Sequence, residues 1–96
     1  MTRTRRIAIR EVLVHIGGDD RMLASLREEG LFEADELDPR EADELRVAAL
    51  MMAELGVNPA GVQVALHLRR RLLAIDARLG VLGRELGTRD PNDGKR

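Results

Sequence analysis

Apolar residues recur at helical spacing along most of the chain, and two short helices are predicted in its first third. The first spans residues 7–16 and stops at Gly17-Gly18, and the second follows an N-cap at Asp19 or Asp20 and stops at Gly30. Only three or four residues, glycines among them, join the two helices, which is the spacing of a helix-turn-helix. Their apolar positions are Ile7, Ile9, Val12, Leu13 and Ile16, then Met22, Leu23, Leu26 and Leu31.

A third helix is predicted from Pro39 to the residues before Gly56. Asp38 is its expected N-cap, Pro39 takes the first helical position and Glu41 the third, which together make a strong start signal. Residues 32–39, with the sequence FEADELDP, have no clear helical period and are predicted to be a short connector.

The fourth helix, predicted from residue 58 to residue 86, has the clearest periodicity. Its apolar residues alternate between spacings of three and four, which is typical of the a/d seam of a coiled coil. They are Ala65, Leu68, Leu72, Ile75, Leu79, Leu82 and Leu86. Such a helix would be about 43 Å long, so a small domain cannot cover it. Pairing with a second copy is favoured over folding back, and the sequence leaves parallel and antiparallel pairing open.

Composition supports a helical protein. The 96 residues are 44% apolar but only 1% aromatic, and they include no Cys, which excludes disulfides and thiolate metal sites. The basic start is followed by no long apolar segment, so we expect neither a signal peptide nor a membrane span. The expected location is therefore cytoplasmic.

We divide the chain into a flexible basic arm (1–6), a helix-turn-helix domain with the third helix (7–57), a coiled-coil dimerisation helix (58–86) and a disordered tail (87–96).

The net charge of −1 hides an uneven distribution. Residues 1–10 carry four arginines and no acid, whereas residues 19–46 carry 11 acids and four arginines. The acidic segment is either a solvated face or a docking surface for a basic partner. For docking we select the acids of the second helix and the connector, namely Asp19, Asp20, Glu28, Glu29, Asp35 and Glu36.

No catalytic arrangement is evident. Gly17-Gly18 follows a predicted helix and not a strand, so it does not fit a nucleotide-binding loop. The two histidines, His15 and His67, are too few for a metal site without clustered carboxylates. We therefore expect a protein that is not an enzyme and that needs no cofactor and no metal.

The order of these elements resembles the MerR-like winged-helix superfamily, and within it the small chaperone-modulator (CbpM) family. The resemblance rests on Ile9, on HIG at residues 15–17, on EEGLFE at 28–33 and above all on ELGVNPAGVQVALHLRRRL at 54–72. It covers about residues 7–86. The fold it implies is all-α, with a MerR-like winged helix-turn-helix domain whose wing is reduced, followed by a long C-terminal coiled-coil helix that pairs antiparallel.

The function it implies is that of a homodimeric adaptor. Members of the family bind the J-domain of a DnaJ-like co-chaperone, which presents a basic helix, and inhibit its stimulation of Hsp70. The alternative is a MerR-family DNA-binding transcriptional regulator. Duplex affinity comes largely from cations on phosphates, but the second helix offers Arg21 and Arg27 against four acids. DNA binding is therefore disfavoured.

Overall fold

Within residues 5–86 the chain is mostly helical, as predicted, and it forms four helices. The computed structural model describes residues 5–86, and it divides them into two units. The first, residues 5–66, is called the head unit, and the second, residues 67–86, is called the distal helix. The disordered tail predicted at 87–96 and residues 1–4 of the basic arm lie outside the described residues.

The head unit begins with a short strand that the apolar pattern did not predict. Strand β1 (Ile7–Ala8) precedes helix α1 (Ile9–Ile16), so the first helix starts two residues later than the sequence indicated. Helix α2 (Asp20–Glu28) follows Gly17, whose φ of 76° lies in the left-handed region that ends helices. Leu31 falls beyond the end of α2 but is still buried.

The connector predicted at residues 32–39 contains a second strand, β2 (Glu36–Leu37). It pairs antiparallel with β1, in a register that sets Ile7 opposite Leu37 and Ala8 opposite Glu36. The described chain is mostly helical, consistent with the predicted all-α class, and it also contains this small two-stranded sheet. Its strands were missed because two residues are too few to show a period of two.

Helices α3 (Pro39–Leu55) and α4 (Pro59–Glu85) start at the predicted caps. Asp38 and Glu41 form a reciprocal capping box, in which each carboxylate accepts from the other residue's backbone N–H. Asn58 caps α4 by accepting from the backbone N–H of Gly61 at 2.7 Å. Helix α4 then continues through Gly80 and Gly83 to Glu85.

A single aliphatic core fills the head unit. It draws residues from all four helices and from β2, and it includes the first turns of the helix that the sequence assigned to dimerisation, since Val62 and Leu66 are fully buried. The buried apolar residues are Ile9, Val12, Leu13, Leu23, Leu26, Leu31, Leu37, Leu45, Ala48, Ala49, Val62 and Leu66. The compact unit thus ends at Leu66 and not at residue 57.

Candidate functional site

The six acids chosen from the sequence lie on α2, the connector and β2, and the fold uses them in different ways. Asp19 is the N-cap of α2, because its carboxylate accepts from the backbone N–H of Met22 at 2.8 Å. Asp20 forms an ion pair with Arg10 of α1. Asp35 lies 3.4 Å from a guanidinium nitrogen of Arg27. Three of the six acids therefore already have partners within the head unit.

The other three, Glu28, Glu29 and Glu36, are exposed and form no ion pair within residues 5–86. Glu28 lies two helical turns after Asp20 on the outer face of α2, about 12 Å along its axis. Glu33, in the connector, is also exposed and unpaired within the same part of the chain. These four glutamates, Glu28, Glu29, Glu33 and Glu36, are called the acidic surface below.

The basic arm and the acidic segment, which are separate in the sequence, meet in the fold. Besides the Arg10–Asp20 pair, Arg6 of the arm lies 4.0 Å from Glu41 of α3. Part of the charge asymmetry is therefore cancelled on the surface. The head unit still carries 13 carboxylates against seven arginines, a net charge of −6. A cationic partner would be attracted to it.

Arg27 is the residue of this region that the sequence did not single out. Its side chain reaches the connector and donates hydrogen bonds to the carbonyl oxygens of Phe32, at 2.8 Å, and Ala34, at 3.1 Å. No sequence signal marks such contacts, because they join a helix to an irregular loop at separations of five to eight residues. The guanidinium that looked available for a phosphate is thus bound within the head unit.

Glu44 is a further acid whose position the sequence did not reveal. It is 2% exposed, in the middle of α3 and among core residues. Among residues 5–86, no buried side-chain nitrogen or oxygen lacks a hydrogen-bond partner, so its carboxylate is satisfied inside the protein. Glu44 therefore adds nothing to the acidic surface, although the count of acids along the chain included it.

The seven residues of the predicted seam lie on one stripe of α4. From Leu68 onward they are exposed, with 46–65% of each side chain open to solvent, while Ala65 is half-buried at the end of the head unit. At 3.6 residues per turn, this stripe is on a different face of α4 from Val62 and Leu66. Monomeric proteins rarely leave so continuous an apolar stripe uncovered.

No other chemistry is evident in the described chain. His15 and His67 are both exposed. Residues 5–86 contain no group of three or more His, Asp or Glu side chains able to hold a metal ion. No helix in that range is both long and apolar enough to cross a bilayer. No protein-family model matches the chain, and no curated protein or solved structure is significantly similar to it.

Proposed function

We propose that this protein is a non-enzymatic, homodimeric adaptor of the CbpM type, which binds the J-domain of a DnaJ-like co-chaperone and inhibits its stimulation of Hsp70. The observation that carries the proposal is the acidic surface, whose four exposed glutamates have no cationic partner within residues 5–86. The J-domain helix that contacts Hsp70 is basic, so an adaptor that covers it needs uncompensated negative charge. Covering that helix would compete with Hsp70 directly.

The DNA-binding alternative loses support at α2. Of its two arginines, Arg27 is engaged by the connector, which leaves Arg21, whose neighbour in the sequence is Asp20. Residues 33–39, with the sequence EADELDP at the position of a wing, carry four carboxylates and no cation. Because phosphate contacts supply most of the affinity for a duplex, this surface would be repelled by DNA.

The dimeric state is proposed from the distal helix. Every residue of 67–86 except Arg69 is exposed, so this stretch buries almost nothing within the described chain. Most of the stability of a helix in a protein comes from packing its apolar face, and a seam of leucines gains stability by burial against an equivalent seam. A second copy supplies that surface, since the same stripe on both chains makes a self-complementary interface.

The partner proposal is tested by charge removal with a matched control. Glu28→Gln/Glu29→Gln removes two charges from the acidic surface, and Glu11→Gln/Glu54→Gln removes two exposed charges from α1 and α3. Binding of a purified J-domain is measured by surface plasmon resonance at low and moderate salt. We expect the first variant to bind about tenfold more weakly, chiefly through a slower association rate, and the control to change little.

The functional readout is the ATPase rate of Hsp70 with its DnaJ-type partner. The unmodified protein should suppress the stimulation, and Glu28→Gln/Glu29→Gln should suppress it less. A gel shift with duplex DNA at moderate salt serves as the opposing test. A J-domain affinity that is unaffected by the double substitution, or specific DNA binding that survives moderate salt, would overturn the proposal.

A further inference from the structure

Arg27 connects α2 to the connector through one guanidinium with three acceptors. Its Nε donates to the carbonyl oxygen of Phe32 at 2.8 Å, and one terminal nitrogen reaches the carbonyl oxygen of Ala34 at 3.1 Å and a carboxylate oxygen of Asp35 at 3.4 Å. The fork geometry of a guanidinium permits this, whereas a lysine ammonium is a point charge at the end of a flexible stem. Two backbone carbonyls and one side chain of the connector are thereby tied to one helix.

The connector needs such a tie because its backbone is strained. Phe32 has a φ of 54° and is the only non-glycine residue with a positive φ among those the structure describes. That conformation is uncommon for a bulky side chain and is kept only where the surroundings enforce it. The carbonyl that Arg27 Nε contacts belongs to this same residue. The contact therefore holds the strained position itself.

The far end of the connector is held independently of Arg27. The backbone N–H of Ile9 donates to the carbonyl oxygen of Asp35 at 2.9 Å, and Glu36 pairs with Ala8 in the sheet. Between this anchor and the end of α2, Phe32 packs against the core and Arg27 supplies the side-chain hydrogen bonds that hold residues 32–35. Glu33 lies inside that path and Glu36 directly follows it.

We propose that Arg27 is a positioning residue for partner binding, which fixes the connector in the shape that presents Glu33 to a basic partner, next to the sheet-held Glu36. This inference rests on the proposed function. Net charge alone predicts the opposite effect, because Arg27 is a positive charge on a surface proposed to bind a positively charged partner. If charge alone governed binding, removing Arg27 would strengthen the complex. If Arg27 acts by positioning, removing it weakens the complex.

The experiment compares Arg27→Gln with Arg21→Gln. Both substitutions remove one positive charge from α2, but Arg21 is exposed and takes part in no ion pair within residues 5–86. J-domain binding is measured as separate association and dissociation rates. We expect Arg27→Gln to dissociate about tenfold faster and Arg21→Gln to bind as tightly as the unmodified protein or tighter, since lost complementarity raises the dissociation rate while charge acts on association.

Arg27→Lys removes the remaining ambiguity, because it leaves the net charge unchanged and cannot reproduce the fork. It should dissociate faster than the unmodified protein, with Arg21→Lys unaffected. Thermal unfolding of each variant checks that the head unit is still folded. The proposal is overturned if Arg27→Lys and Arg27→Gln dissociate at the rates of their Arg21 counterparts.

A readout without any partner separates this inference from the proposed function. Amide hydrogen exchange of the free protein should be faster at residues 33–35 in Arg27→Gln and Arg27→Lys, and unchanged in the Arg21 variants. If the unmodified protein binds no J-domain, the proposed function fails and the positioning role fails with it. Faster exchange would then show only that Arg27 holds the connector. Unchanged exchange would contradict even that.

Discussion

The head unit and the distal helix have similar amphipathic sequences but use their apolar faces differently. In the head unit the core leucines and valines are 0–9% exposed, whereas in the distal helix the large apolar side chains are 45–65% exposed. Burial of aliphatic surface is the main force that stabilises a fold. In the head unit, aliphatic side chains are buried against one another within the chain. In the distal helix they remain exposed, so any stabilisation from their burial requires another surface.

The two regions differ in charge as well. The head unit has a net charge of −6, and residues 67–86 carry five arginines against two acids, a net charge of +3. The near-neutral total of the chain thus conceals two regions of opposite charge. The charges of the distal helix lie beside the leucine stripe, where they can flank a helical pair. The two regions therefore differ in both respects: the head unit is acidic with a buried core, and the distal helix is basic with an exposed apolar stripe.

The sharpest test of this comparison uses two leucines of one helix. Leu66 is fully buried in the head unit, and Leu68, two residues later, is 54% exposed. Leu66→Ala should destabilise the head unit by about 2–5 kcal/mol, because it removes core contacts and leaves a cavity. Leu68→Ala should leave the head unit's free energy of unfolding within about 0.5 kcal/mol. Denaturant unfolding over a range of protein concentrations measures both.

The concentration dependence adds a second criterion. The loss in Leu66→Ala should persist at all protein concentrations, whereas any loss in Leu68→Ala should shrink toward zero on dilution, since the stability that association adds falls as the free protein concentration falls. If both variants lost the same free energy of unfolding at every protein concentration, Leu68 would contribute to the head unit as Leu66 does. The contrast between the head unit and the distal helix would then be wrong.

The next largest effect is expected at the middle of the seam. Leu72 is 65% exposed, and in a helical pair its side chain would be enclosed by the partner helix. Leu72→Lys places a charge there, so we expect sedimentation to change from the mass of two chains to the mass of one. Arg70→Lys, on the same helix but off the seam, is the control. A dimer mass that persists in Leu72→Lys would show that the seam is not the interface.

Much of the helical framework followed from local signals. The caps at Asp38 and Asn58 and the stops at Gly17 and Gly56 act within one turn of the helix ends they define. Such signals are readable because their partners are three or four residues away. The continuous helix 59–85 was predictable for the same reason, as its periodicity is a property of one segment.

The features that could not be predicted depend on contacts between segments that are distant in the sequence. The pairing of β1 with β2 brings Ala8 and Glu36 together across 28 residues, and the Arg10–Asp20 ion pair joins two helices. No local pattern encodes these contacts. The candidate site shows the consequence: the sequence offered Asp19 or Asp20 as the N-cap and counted both as docking acids, and the fold shows that Asp19 is the cap whereas Asp20 pairs with Arg10.

A smaller effect is expected at two glycines of α4. A Cβ at Gly83 would meet nothing within 4 Å, whereas one at Gly61 would lie 2.8 Å from Cγ1 of Val57. Gly83→Ala should therefore stabilise the distal helix by about 1 kcal/mol, the usual difference in helix propensity. Gly61→Ala should lose that gain to the clash. Thermal unfolding followed by circular dichroism compares them, and an equal rise in Tm for both would contradict the packing described around Gly61.

The smallest effect concerns Asp19, which the sequence assigned to partner binding and the fold uses as an N-cap. Asp19→Asn keeps a side-chain oxygen for the N–H of Met22 but removes the charge, and Asp19→Ala removes both. Because Asn caps helices about as well as Asp, we expect Asp19→Asn to change the unfolding free energy by a few tenths of a kcal/mol, and Asp19→Ala to lower it by about 1 kcal/mol. Equilibrium urea unfolding measures the difference.

The same pair of variants then determines whether Asp19 also acts on a partner. If its role is capping alone, Asp19→Asn should bind a J-domain as the unmodified protein does, in contrast to Glu28→Gln/Glu29→Gln. If Asp19→Asn binds more weakly at unchanged stability, the carboxylate contributes charge to the interface in addition to its bond with Met22. Since a capping carboxylate still projects its charge into solvent, the size of that loss measures how far the acidic surface extends toward the start of α2.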